Sequence, residues 1–411
     1  MLKGCRKSLV GATLALVIIA LGLAVAVRDS QAATQRDPSM LLESKAAVGR
    51  ALHYLAAQQK PNGSWQDQPA ISALVVSAML GSGQEGFGAK SEVVSKALAY
   101  IRTFAQPDGG IYDKTYAVYS TCVCVTALAQ ANLPEDADLI NRTRAYLLDM
   151  QGDEGEGFGP QDTQYGGWGY ERNVPQTNAR PPRRGDLSNT QFALEAIKDL
   201  QDLCDQTKAP GAPAAAAPAA PGAAAAPTAD LTARTGLAYQ HAILFLHRCQ
   251  NLKTTNDQPW ASTDGGFVYG PGTSAAGQTP EGGLRSYGSM TYAGLKSMIY
   301  ANLAKDDPRV AATWEWARLH WTVTENPGFG DNGLYYYYVT MSRALGVYGA
   351  EQIVDAKGVS HDWRAELVGQ LLSSQAADGS WKNTNGRWME NIPELVTAYG
   401  VLSIEYGTAG W

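Results

Sequence analysis

The hydrophobic positions of this chain recur in two alternating kinds of segment. In the first kind, apolar residues sit three and four apart among charged ones, as around Tyr54 and Leu55 in RALHYLAAQQKPNGSW. That spacing predicts a helix with one buried and one wet face. A Gly turn follows and ends it. The second kind is apolar almost throughout: PAISALVVSAML, TYAVYSTCVCVTALAQ, DLSNTQFALEAIKDL, SYGSMTYAGLKSMIYAN, LYYYYVTMSRAL and IPELVTAYGVLSIEY. Few charges interrupt these segments, so they predict helices buried on most sides.

The pairing of the two kinds is an internal repeat. Arg50, Tyr54, Leu55, Gln59, Gly63 and Trp65 match Glu366, Gln370, Leu371, Gln375, Gly379 and Trp381 at identical spacings. Further copies are KALAYIRTFAQPDGGIY, RTRAYLLDMQGDEGEGF with its turn placed at Gly155, and HAILFLHRCQ with a longer loop to GGFVY. A degenerate fifth copy lies in TWEWARLHWTVTENPGFG, which makes six. Six outer–inner hairpins stacked side by side can close into a ring, with the inner helices around a central cavity.

Composition removes several alternatives. With 45% hydrophobic residues in 411, the chain can bury a large core and is not disordered throughout. The net charge is −6, and Lys and Arg do not cluster beyond the first residues, so no nucleic-acid partner is expected. Five Cys without a CxxC predict neither a disulfide scaffold nor a Cys-rich zinc site. Lys3, Arg6 and Lys7 precede an uncharged apolar run from Leu9 to Val27, and SQAA follows. Residues 1–33 therefore read as a signal peptide or an N-terminal membrane anchor. Either way the body is exported, periplasmic or extracellular, or held at the membrane by that segment. The rest, 40–411, reads as one domain interrupted by an Ala/Pro-rich linker at 209–230.

The Gln-x3-Gly-x-Trp spacing of Gln59–Trp65 and Gln375–Trp381 resembles the QW motif of squalene–hopene and oxidosqualene cyclases. Related repeats build the β-subunits of protein prenyltransferases. The resemblance covers residues 42–408 apart from the linker. It implies an all-α fold, an (α/α)6 toroid of six outer–inner helical hairpins. In it Gln59, Trp65, Gln375 and Trp381 are structural, each Trp packing on the Gln of a neighbouring repeat. It also implies a central apolar cavity that takes an isoprenoid. Cyclases of the hopene type carry Asp-x-Asp-Asp-Thr on an inner helix, and the central Asp protonates the substrate. DLSNT matches this as Asp186, Leu187, Ser188, Asn189 and Thr190. Ser188 stands where the proton donor would be, and a hydroxyl is too weak an acid for that step. Asp186 is left as the candidate catalytic carboxylate, or as a helix cap held ionised by backbone N–H groups. The prenyltransferase zinc site is not matched: Ser120 replaces its His, and no Asp-Gly-Cys segment occurs. His53, His241, His247, His320 and His361 lack ligand spacing, so neither a metal nor a cofactor is expected. Cys122 and Cys124 read as core.

Candidate cavity residues are Trp168 and Tyr170 before the third inner helix and Ser188 and Asn189 at its start. Tyr287 and Tyr292 belong to the fourth, Tyr335, Tyr336, Tyr337 and Tyr338 to the fifth, and Trp388 and Glu394 to the sixth. Four successive Tyr cannot share one helix face, so about two should point inward. Their rings can line an isoprenoid pocket and steady a cation, or simply pack. Three functions stay open. One is binding or processing of an isoprenoid or other apolar small molecule. The second is a non-catalytic scaffold for an unidentified protein partner. The third is a polysaccharide-active enzyme using paired carboxylates among Asp162, Asp186, Asp264, Glu281 and Asp331. A deep aromatic pocket favours the first, a filled ring the second and a carboxylate-lined cleft the third.

Overall fold

The computed structural model describes residues 37–172, 184–208 and 228–411, and its helices alternate as the periodicity predicts. The amphipathic segments form α1 (Pro38–Ala57), α3 (Glu92–Arg102), α5 (Ala137–Asp149), α7 (Thr228–Cys249), α9 (Pro308–Leu319) and α11 (Trp363–Ser374). The apolar segments form α2 (Pro69–Gly81), α4 (Ala117–Ala131), α6 (Leu187–Lys208), α8 (Gly288–Tyr300), α10 (Leu334–Tyr348) and α12 (Pro393–Thr408). One two-residue pair, β1 (Ile353–Val354) with antiparallel β2 (Ser360–His361), is the extent of sheet among the described residues. The protein is all-α. The Leu9–Val27 run and residues 209–227 of the linker lie outside the described residues. Thr228 to Asp230, expected in the linker, instead open α7. No helix of the described residues is long and apolar enough to cross a membrane.

Several odd-numbered helices start on an Asp cap. Asp37 accepts from Ser39 N, Asp307 from Arg309 N, and Asp362 from Arg364 N and Ala365 N. These side chains satisfy N–H groups that the first turn leaves unpaired. The even-numbered helices pack on one another in sequence: α2 on α4, then α6, α8, α10 and α12, and α12 returns to α2. The core runs along that cycle and includes Val76, Val125, Ile197, Leu295, Leu345 and Val401.

Four of the odd helices are locked to the next by the Gln and the turn that end them. Gln59 Nε2 donates to Gly63 O of its own turn at 3.0 Å and to Val93 O of α3 at 2.8 Å. Gln151 does the same to Gly166 O and Ala238 O, and Gln250 to Gly265 O and Arg309 O. Gln375 reaches Gly379 O and Ala47 O of α1, both at 2.9 Å, and so ties the last repeat to the first. The turn Gly is obligatory. At Gly379, with φ +90°, a Cβ would stand 2.6 Å from Arg50 O.

Two expectations are corrected here. The bond between neighbours is made by Gln, whereas the Trp indoles hydrogen-bond their own hairpin. Trp65 Nε1 donates to Leu55 O and Trp381 Nε1 to Leu371 O. In the third repeat the turn Gly is Gly166, since 152–165 form an inserted loop. Trp168 is then the Trp of that repeat, donating to Leu147 O at 2.7 Å and wholly buried. It is a strut between α5 and α6 and not a cavity residue.

Trp381 is fully packed, and its truncation leaves a large void. Trp381→Ala should lower unfolding stability by ~3–5 kcal/mol in urea titration. An unchanged midpoint would refute the bracing role.

Candidate functional site at the mouth of the inner helices

The loops entering the even helices hydrogen-bond each other around one face. Val118 N donates to Tyr170 O at 3.0 Å, Leu187 N to Tyr269 O at 2.7 Å, and Gly288 N to Pro327 O at 2.8 Å. Tyr336 N donates to Glu390 Oε1 at 2.8 Å, and Gln66 Nε2 to Glu394 Oε1 at 2.9 Å. First-turn N–H groups are thus paired by the following loop. Whatever chemistry the loops carry is gathered at this mouth.

Aromatic rings cover it. Tyr116 meets Tyr170 at 5.1 Å between centroids, Tyr287 meets Phe329 at 5.0 Å, and Phe329 meets Trp388 at 5.4 Å. The Arg387 guanidinium lies over both Phe329 and Trp388, at 5.0 and 4.6 Å. Tyr116, Tyr170, Trp388 and Met389 are exposed. Tyr116, Trp388 and Met389 also hold left-handed backbone, with φ of 57°, 54° and 67°. Each costs on the order of 1–2 kcal/mol, and such strain gathers where a side chain must be presented.

Below the rim the centre is filled. Tyr119 packs on Phe192, Phe192 on Tyr336, and Tyr336 on Tyr399. The Tyr336 hydroxyl lies 3.0 Å from Ser188 Oγ and accepts from Gln191 Nε2 at 3.2 Å. Beyond this plug lies a cavity of about 60 Å³, lined by Leu74, Cys122, Gln191, Glu195, Lys296 and Arg343 among others. That is far below the ~300 Å³ at which ligand pockets begin. Part of its wall is ionic: Glu195 pairs with Lys296 and with Arg343 at 3.0 Å, and Arg343 reaches Asp199 at 3.5 Å. Burial works against the Glu195 charge, but Lys296 and Arg343 outweigh it and hold the carboxylate below its ordinary value. Burial and the neighbouring Glu195 push Asp199 up to about 7. The expected large apolar chamber is therefore replaced by an aromatic plug and a small void whose mostly apolar wall carries a few charged groups.

The predicted site residues divide. Tyr170, Ser188, Tyr287, Tyr336 and Trp388 come together at the mouth. Asn189 is buried and donates its N and Nδ2 to Asp186, both at 2.8 Å. Only one of the four successive Tyr, Tyr336, turns to the centre. Tyr337 and Tyr338 donate to Thr322 O and Val323 O, and Tyr335 packs against Tyr338. Tyr292 packs on Tyr337 between α8 and α10. Glu394 is buried at the start of α12. Glu390, a charge that its place before the sixth inner helix offered to the mouth or to a helix cap, also accepts Asn383 Nδ2, whereas sequence reasoning missed the charges Glu195, Lys296 and Arg343. A signal existed: Lys296 and Arg343 are lone charges in apolar helices. Ser188, Gln191, Phe192, Glu195 and Asp199 recur at helical spacing on one face of α6.

Asp186 does cap α6, but it is not held ionised as expected. Burial pushes its carboxyl up to about 7, against the hydrogen bonds from Asn189 and Tyr269 that favour the charge. Removal from water outweighs four donors, the Ser188 and Asn189 N–H groups and the side chains of Asn189 and Tyr269.

No family model matches the sequence, and no curated protein matches it. Solved structures do. An arginine-to-alanine variant of the type II terpene cyclase MstE from Scytonema, in complex with its substrate geranylgeranyl dihydroxybenzoate, superposes with a TM-score of 0.52 at 12% identity. The match covers 90% of this chain and 99% of that one. The fold is terpenoid cyclase-like. A tyrosine-to-phenylalanine variant of MstE without ligand agrees, at TM-score 0.51 and 12% identity over 90% of this chain and 98% of its own.

The raised Asp186 carboxyl has a definite sign for stability. Its ordinary value is 3.8 and its folded value about 7, so the folded state holds a proton that the unfolded state has lost. The contribution is fully present below about pH 4 and is lost as pH rises to about 7, worth up to ~4 kcal/mol. Asp186→Asn should remove about one proton from the folding linkage between about pH 4 and 7 in urea titrations. Parallel curves for the two proteins would show that Asp186 stays ionised.

Proposed function

We propose that this chain is an exported (α/α)6 toroid whose mouth binds an isoprenoid or comparable apolar ligand without cyclising it. The observation that carries the reading is the set of exposed rings Tyr116, Tyr170 and Trp388, of which Tyr116 and Trp388 sit on left-handed backbone. Folding pays strain to keep large apolar side chains in water, as at a surface built to meet a partner. The cyclic packing of the even helices and the Gln375 bridge to α1 support the toroid. The basic n-region and apolar run support export. MstE, similar in fold, binds a geranylgeranyl substrate, and the ligand class here is our extension of that likeness.

Cyclisation of a polyene starts with proton transfer to a weakly basic alkene and needs a strong, shielded acid. Ser188 is not one, and an Asp186 that titrates near 7 is too weak. The plug leaves no room for a folded C20 or C30 chain beneath the rim.

Titration with geranylgeraniol should quench Trp fluorescence, and Trp388→Ala should weaken binding about tenfold, as expected for losing one stacked ring. Incubation with squalene should yield no pentacyclic product by mass spectrometry, and a hopene-like product would refute the assignment of Ser188. A second reading, the scaffold, draws on the small central cavity. Failure of any isoprenoid to bind would favour it.

Topology is tested separately. A reporter fused after Trp411 should be active only if it folds outside the cytoplasm. Activity of a cytoplasm-only reporter would end the export claim.

A further inference from the structure

The third turn carries a second cluster that the mouth does not use. Asp153, Glu154 and His241 each bring one ligand-type atom within 4.8 Å of the others, where the inserted loop at 152–165 meets α7. His241 Nδ1 is buried and makes no hydrogen bond. It faces Asp153 Oδ2 at 3.9 Å, too far for one. Asp153 Oδ1 accepts Gly155 N at 2.8 Å, which fixes the carboxylate and leaves Oδ2 toward the ring. Glu154 accepts the Tyr165 hydroxyl at 2.9 Å through Oε1, and the Tyr165 ring stands 4.8 Å from that of His241. The nearby arginines are engaged elsewhere, Arg172 with Glu156 and Arg234 with Asp149. Two carboxylates and a buried ring nitrogen therefore converge, with His241 within ion-pair distance of Asp153.

We propose that Asp153, Glu154 and His241 bind one divalent transition-metal ion of the zinc type. His241 Nδ1 is left unmatched in a buried place beside Asp153 Oδ2. A cation between the three groups would give it a partner. Imidazole with two carboxylates suits zinc or manganese, whereas calcium takes oxygen ligands alone. Metal–ligand bonds of about 2.0–2.2 Å need the three atoms to draw in by roughly 1 Å, within the reach of side-chain rotation.

The position gives the ion a task. It lies beside the Gln151 bridge from Gly166 to Ala238, and it joins the third hairpin to α7. The link from α6 to α7 passes through residues 209–227, the Ala/Pro stretch. A long connection holds its ends together weakly, so a metal staple would add to the side-chain links, such as Gln151 to Ala238 and Arg234 to Asp149, that already fasten α7 to the third hairpin.

The test uses the full chain, stripped with a chelator and then titrated with zinc chloride in a calorimeter. One equivalent should bind, and the melting temperature should rise saturably. His241→Ala should lose about 100-fold in zinc affinity and all of the melting shift, while melting like wild type in chelator. Glu154→Gln, at an exposed position, guards against a folding defect in the first variant and should lose at least about tenfold. No stoichiometric zinc binding, equal binding by wild type and Glu154→Gln, or preference for calcium over zinc would each overturn the proposal.

Discussion

The structure depends on one side-chain amide. A glutamine Nε2 has two hydrogens, and in four of the repeats both are used, one on the hairpin's own Gly turn and one on the next odd helix. Each bond contributes only about 1 kcal/mol net, but leaving the buried carbonyls unpaired costs ~1–3 kcal/mol apiece. The geometry is stricter than the energy. A planar amide with both donors engaged fixes the angle between neighbouring hairpins, and the Gly permits the backbone to approach closely enough. Gln106 is the variant case, since its shorter turn directs Nε2 to Tyr112 O. In the fifth repeat Asn326 performs a related task, accepting Ser289 N and donating to Asn332 O.

Once the hairpins are set, the even helices must share the space they enclose, and the two ends are filled differently. Helix N-termini carry partial positive charge and favour carboxylates. Asp186, Glu390 and Glu394 stand at that end. Lys296 and Arg343 lie further along α8 and α10, toward the opposite pole, and meet Glu195 and Asp199 of α6. Charges buried in this way do not stabilise more than well-packed apolar groups would. They do fix register, because sliding α6 along α8 would strand Lys296 without a partner.

Much of this was legible in the residues. The twelve helices followed from periodicity, because the amphipathic and the apolar segments differ so plainly in charge. The third repeat was misread at Gly155 since a spacing rule cannot see an insertion. Gly166 and Trp168 would have been found by searching for Gly-x-Trp alone. The four Tyr from Tyr335 show a different limit. Periodicity says that they cannot all face inward, but it does not say which one does, since that depends on the phase of α10 against α8 and α12. The shift at Asp186 was invisible for a third reason: a cap motif shows the donors and hides the burial. His241 and Asp153 are far apart in sequence, and no local pattern joins them.

Position 188 is where the packing of the centre departs from what the resemblance implies. The resemblance would place the proton donor there, beneath open space. Here Ser188 meets the hydroxyl of Tyr336, and Gln191 donates to the same oxygen. That ring then packs on Phe192 and Tyr399, and Tyr399 approaches Tyr119 across the centre. A carboxyl at 188 would need a donor or a charge partner in the same place, and its own volume would displace the Tyr336 hydroxyl. The serine at 188 and the filling of the centre are thus parts of one packing arrangement. With the interior filled, the rings left accessible are those of the rim, Tyr116, Tyr170 and Trp388.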